Sequence, residues 1–199
     1  MKKSIILILF LLLMGCSSTE QSILNFSLGT PQEIICQEDD LPGFYALIDD
    51  LSGDRPNEQL TISIDDPSAS ISYIEETGRL EGWENRFMLL EPTQTLPGFV
   101  LCQTVLFSSP DGARAALDWQ GDPLIQITEV DRQIGDEMIL TQASFDAPDG
   151  SRWIDHRVEF SYRNLIGAIS TYTPEGIANP DFALDIAEIL YQRMQNQAP

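Results

Sequence analysis

The sequence predicts an α+β domain: one antiparallel β-sheet of about five to six strands with two or three helices packed on it, including a C-terminal helix. Three observations carry this expectation. Segments rich in β-branched and aromatic residues follow one another with turn chemistry between them, such as Ala147-Pro148-Asp149-Gly150, the pattern of a meander of short strands. Within one segment Ile154, His156, Val158, Phe160 and Tyr162 alternate with Asp155, Arg157, Glu159 and Ser161, the two-residue period of a strand with one apolar and one polar face. Near the C-terminus the period changes. Phe182, Ile186, Ile189, Leu190 and Met194 recur at the 3.6-residue spacing of an amphipathic helix.

The elements follow in chain order. Residues 23–36 mix apolar side chains with Gly29 and Pro31, which fits either a loose extension or the first piece of the domain. The folded part is expected to begin near Leu41. Leu41-Pro42-Gly43-Phe44 recurs as Leu96-Pro97-Gly98-Phe99, which a duplicated strand-then-helix unit or a chance repeat of a turn signal would both produce. Helices are expected over residues 67–76 and 110–119. Each has a capping oxygen before a proline, at Asp66-Pro67 and Ser109-Pro110, and each ends near a glycine, Gly78 or Gly121. Strands are expected over 83–90, 100–107, 138–145, 153–162 and 165–172. Arg163-Asn164 forms the corner between the last two, with Asn suited to the left-handed conformation of a tight hairpin. Asn179 and Pro180 open the final helix, with Asp181 favourable in its first turn. The economical arrangement is a sheet with helices on one face and solvent on the other.

The N-terminus has a different chemistry. Lys2 and Lys3 precede an unbroken apolar run from Ile5 to Met14, followed by Gly15 and Cys16. That run is far shorter than the ~20 residues a spanning helix requires, and it reads as a secretory signal. Its end, Leu13-Met14-Gly15-Cys16, resembles the lipobox of bacterial lipoproteins, although Met14 is an unusual occupant of its slot. The resemblance implies a diacylglyceryl group on the Cys16 thiol and a mature chain beginning there. It divides the chain into a signal at 1–15, a lipidated N-terminus and tether at 16–40, and a single α+β domain at 41–199. It also implies a membrane partner reached through acyl chains, since two or more chains make anchoring durable. The expected location is the cell membrane or outer membrane, facing the periplasm or the exterior. Ser17 after the cysteine is similar to the default outer-membrane signal of two-membrane bacteria.

A weaker resemblance rests on the order of elements. Gly82-Trp83 leads a strand, another runs into Ser109-Pro110-Asp111-Gly112-Ala113-Arg114, and Ile134-Gly135-Asp136-Glu137 opens a third before a hairpin and terminal helix. This order resembles uncharacterised bacterial lipoproteins with a PsbP-like α+β domain. Such domains imply binding or assembly rather than a conserved reaction, and no functional residue is carried across.

Composition then excludes whole classes. Both lysines lie in the signal, leaving nine arginines against thirty-one acidic residues. A phosphate backbone demands a basic face, so no nucleic-acid partner is expected. Without a lysine in the mature chain there is no Schiff-base chemistry. No nucleophile elbow, phosphate loop or paired metal-binding histidines occur. The single histidine, His156, sits on the apolar parity of its strand and is expected in the core rather than as a general base. Asp146, Asp149 and Asp155 around Gly150 read as an Asp-rich turn rather than a calcium loop, and Gly135-Asp136-Glu137 likewise as a turn. No catalytic residue, cofactor or metal ligand is assigned. Cys36 and Cys102 remain as an even pair and are a candidate disulfide in an oxidising compartment, with two separate buried thiols as the alternative. The function expected is a binding or assembly module with an envelope protein as candidate partner. A ligand-binding sensor and a carboxylate-dependent hydrolase are the alternatives. An exposed aromatic patch, an enclosed pocket or a pair of carboxylates with raised pKa would distinguish the three.

Overall fold

A computed structural model of the chain describes residues 30–63, 67–91, 95–119 and 126–197. The signal at 1–15 and Cys16 lie outside them. The fold is α+β, with one antiparallel sheet of eight strands rather than the expected five or six. The strands are β1 (Tyr45–Leu47), β2 (Gly53–Asp54), β3 (Arg79–Leu89), β4 (Phe99–Phe107), β5 (Gln126–Ile127), β6 (Glu137–Asp146), β7 (Arg152–Tyr162) and β8 (Leu165–Pro174). Their order across the sheet is β1, β3, β4, β8, β7, β6, β5, with β2 also on the outer edge of β3. β1 follows the tetrad at 41–44 expected to start an extended stretch, whereas β2 and β5, two residues each, are too short for an alternation to register.

Five helices accompany the sheet among the described residues: α1 (Pro31–Ile34), α2 (Asn57–Ser63), α3 (Pro67–Thr77), α4 (Pro110–Leu117) and α5 (Asp181–Gln197). Three of the expected caps are in place, while Asp66 and Gly121 lie outside the described residues and α4 ends at Leu117, short of the expected 119. The Ser109 hydroxyl accepts from the Gly112 amide at 3.1 Å to cap α4. Gly78, with φ 65°, ends α3 in the left-handed conformation. Asn179 Oδ1 accepts from the Asp181 amide at 2.9 Å at the start of α5. At the β7–β8 corner, however, Arg163 rather than Asn164 adopts positive φ, at 55°. Its guanidinium lies over the Tyr162 ring, 5.3 Å from the centroid, a contact of the kind that offsets the cost of a left-handed residue. The two Leu-Pro-Gly-Phe copies fold differently. The first leads into the three-residue edge strand β1 and the second into the nine-residue central strand β4.

The alternation of β7 sets up two cores. Ile154, His156, Val158 and Phe160 are buried on one face, where α5 lies with Leu184, Ile186, Ala187, Leu190 and Met194 in the same apolar cluster. The other face is not simply solvated, which corrects the one-sided arrangement expected. Val105, Phe107 and Ile166 there pack with Ala113 and Leu117 of α4, with Tyr73 of α3 and Ile139 at the margin. Helices therefore lie on both faces, but those on the second face cover one end only.

The boundary of the domain also moves. Residues 30–40 were assigned to the tether, yet Ile34, Ile35 and Cys36 are fully buried in the main core. Pro31 opens α1, and the Glu33 carboxylate accepts from the Thr30 amide at 2.9 Å. This segment is thus the first piece of the domain, the alternative that residues 23–36 had left open. Asp40, in the turn that follows, takes Nε and Nη2 of Arg193 at 2.8 and 2.9 Å. That bidentate pair fastens the N-terminal segment to α5.

Candidate functional site

The register places a broad apolar surface on the end of the second face that α3 and α4 leave bare. Cross-strand pairing puts Met88, Phe99, Tyr172 and Asp155 in one row, and Trp153 opposite Phe145 in the next. Leu90 and Phe44 extend the surface past the end of β1 through the bond from the Leu90 amide to the Phe44 carbonyl. Leu90 is 59% exposed, Phe44 52%, Phe145 43%, and Met88 and Phe99 42% each. The rings touch one another: Phe99 and Trp153 have centroids 6.5 Å apart, and Phe145 and Tyr172 stand edge to face at 6.1 Å. A cavity of about 320 Å³ lies beside Phe99 and Tyr172, lined also by Ile48, Leu51, Arg86, Leu101 and the buried Phe87 and Val100. Scattered single apolar side chains need no explanation on a protein surface, whereas a contiguous aromatic patch marks an interaction site.

A charged row separates this patch from α3 and α4. Arg157 donates to Glu159 at 2.8 Å, to Ser170 Oγ at 3.1 Å and to Gln103 Oε1 at 3.2 Å. Glu84, 7% exposed at its side chain, holds Arg86 at 2.6 Å and Arg55 at 3.0 Å. From α3, burial pushes the Tyr73 phenol up to about 12, with Arg79, Glu159 and Arg157 contributing charge. Asp155, between patch and row, is held less comfortably. Burial raises its carboxyl to about 6 against the opposing pull of Arg157, with Glu159 adding to the rise, and its Oδ1 is buried without a hydrogen-bond partner.

The sign of that shift makes a prediction. A carboxyl that binds its proton more tightly when folded favours the fold in acid and opposes it once ionised, so the cost appears as pH rises through 3.8 to 6. Asp155→Asn is expected to raise the unfolding free energy at pH 7 by roughly 1–2 kcal/mol, less than the full shift because the group keeps some solvent. The gain should shrink as the pH falls through 6 and vanish only below 3.8, and urea titrations at pH 7 and at a pH well below 3.8 check it. Equal stability of the two proteins at pH 7 would mean that Asp155 is solvated after all.

The residues singled out from sequence fall as follows. Cys36 and Cys102 lie in the same core cluster, both fully buried and both free thiols in this structure. His156 is buried on the α5 face with its pKa lowered by burial, and neighbouring parity turns Asp155 to the opposite face, so the two form no acid–base pair. Asp149 accepts from the amide and hydroxyl of Ser151 at 2.9 and 2.6 Å, closing the β6–β7 turn. Asp136 accepts from the Arg163 amide at 2.9 Å, and Gly135 takes positive φ beside it. Among the described residues no three acidic, histidine or cysteine side chains gather as a metal site. No described helix is long and apolar enough to cross a membrane. Sequence reasoning missed the aromatic face. Its signal was present, since Trp153 begins the parity that continues as Asp155, Arg157 and Glu159, the side read as solvated.

No family model matches the chain, and no curated protein matches it. Among solved structures, the extracellular domain of PknH from Mycobacterium tuberculosis is similar, at 15% identity over 85% of this chain and 93% of that one, with a TM-score of 0.44. A likeness so loose transfers no function.

Proposed function

We propose that the protein is a lipid-anchored envelope module that docks a basic protein partner on the aromatic end of its sheet. The carrying observation is the bare half-face, where Phe44, Met88, Leu90, Phe99 and Phe145 stand exposed. The partner's chemistry follows from charge. The chain carries a net −20, so a second copy and an anionic bilayer both repel this face, whereas a lysine- or arginine-rich protein with apolar anchors is steered to it. The lipobox-like end at Cys16 supplies the anchor. Against the hydrolase, Glu159 and Asp155 stand on either side of Arg157 rather than as a carboxylate pair. Apolar anchors in such a patch are where binding energy concentrates.

The test is photocrosslinking in intact cells with a photoreactive residue at Phe99 of the anchored protein. One adduct with a basic protein is expected, absent when the residue is placed at Gln192 on α5. The adduct should fade with salt in isolated membranes and fall at least tenfold with Phe145→Ser. Cys16→Ala should release the protein from the membrane and abolish the adduct. An adduct with a second copy, an equal adduct from Gln192, or none from Phe99 refutes the reading.

A further inference from the structure

We propose that Cys36 and Cys102 are joined in the exported protein, so that a disulfide locks the N-terminal segment beneath the sheet. The backbone sets the pair up independently of the thiols. Asn85 is the cross-strand partner of Cys102, and its Nδ2 donates to the Cys36 carbonyl at 2.9 Å. Cys36 is therefore held over the strand pair that carries Cys102. Their side chains meet in a hydrogen bond, and both are fully buried. The flanking Ile34 and Ile35, also fully buried, keep the segment seated. The chain has three cysteines in all, and the third is the expected lipid site, Cys16.

Burial also orders the chemistry in time. It pushes the Cys102 thiol well up, with the Cys36 thiol contributing, and exchange needs a thiolate and access. The bond must then form before α1 docks, while both sulfurs meet solvent. The Cys36 thiolate attacks the disulfide of an envelope thiol oxidant and gives a mixed disulfide. Cys102 thiolate displaces the oxidant from Cys36, forming Sγ–Sγ. Two electrons pass to the oxidant, and the two thiol protons reach it through solvent, so that it leaves as a dithiol. Once α1 is seated the same burial shields the bond from reductants.

The inference rests on the export proposed above, and its test separates the two. Full-length protein from the membrane fraction is denatured in a maleimide reagent without reductant, then with it, and its intact mass recorded. No label before reduction and two labels after, on a lipidated chain, is the expected result. The undenatured protein should also resist a monothiol reductant, and Cys36→Ser, which cannot form the bond, should unfold at a lower denaturant midpoint without reductant. Two labels before reduction on a lipidated chain overturns the disulfide. A chain that keeps its signal and all three thiols overturns the export instead. In that case refolding with oxidised glutathione decides the pair: bond formation upholds the geometry, and two persistent thiols dispose of it.

Discussion

Replacing Leu190 by alanine is expected to cost roughly 2–5 kcal/mol, a large part of the 5–15 kcal/mol that holds a domain of this kind together. Leu190 lies at the centre of α5 and is fully buried. One of its methyls reaches the backbone of β8 where Gly167 has no side chain, so that an added Cβ there would stand 3.0 Å from Leu190 Cδ2 and 2.5 Å from Phe160 Cζ. The helix approaches the sheet through that gap. The neighbouring elements are regular sheet and helix that cannot close over a missing isobutyl group, so the loss includes both transfer and cavity. Urea unfolding of the domain from Thr30 onward measures it. Ile189, part of the stripe read from sequence, is only partly buried at the rim of the core, and Ile189→Ala should cost less than half as much. A Leu190→Ala protein with an unchanged midpoint would mean that α5 is not seated as described.

Gly135→Ala is the second large effect. The backbone there has φ 71°, a conformation that costs an L-residue about 1–3 kcal/mol. In addition an alanine Cβ would run into the Ser161 carbonyl oxygen and crowd Phe160 Cδ2 at 3.1 Å. That carbonyl is already engaged by the Asp136 amide at 2.7 Å, so it has no freedom to retreat. Strain and overpacking together are expected to lower stability by roughly 2–5 kcal/mol. Gly150→Ala is the control. It shares positive φ, at 83°, but has open space around it, and so should show the strain without the collision. Thermal unfolding of the two variants separates the contributions, and equal losses would contradict the close approach at Ser161.

The long strands and α5 were legible because each obeys one period over ten or more residues, as in β7 and in the stripe from Phe182 to Met194. The caps were legible because Ser109 and Asn179 act through local hydrogen bonds that depend on nearby sequence alone. What was not legible depended on partners distant in sequence. Residues 31–36 look like linker until β3 and α5 are in place to bury them. The aromatic face was hidden for the same reason. Phe99, Phe145, Trp153 and Tyr172 belong to four strands, and only the register brings their rings together. A polar parity in one strand says nothing of what its neighbours place beside it. The closeness of Cys36 and Cys102 is likewise a property of the Asn85–Cys102 register rather than of spacing.

The rims of the sheet have a consequence for behaviour in a crowd. A long unpaired strand edge is a template on which another chain can add its own strand. Here the outer edge of β3 is taken up by β1 and β2, with the Ile48 and Arg55 amides bonding to the Arg86 and Gly82 carbonyls at 2.8 and 2.9 Å. At the far side β5 pairs with the middle of β6, and among the described residues a short stretch ending on the carboxylate of Asp146 has no outer strand. Molecules confined to a membrane surface meet their own kind far more often than molecules free in solution. For a protein anchored as proposed, broken and acidic rims oppose strand-on-strand polymerisation, so that dense packing leaves the sheet of each copy its own.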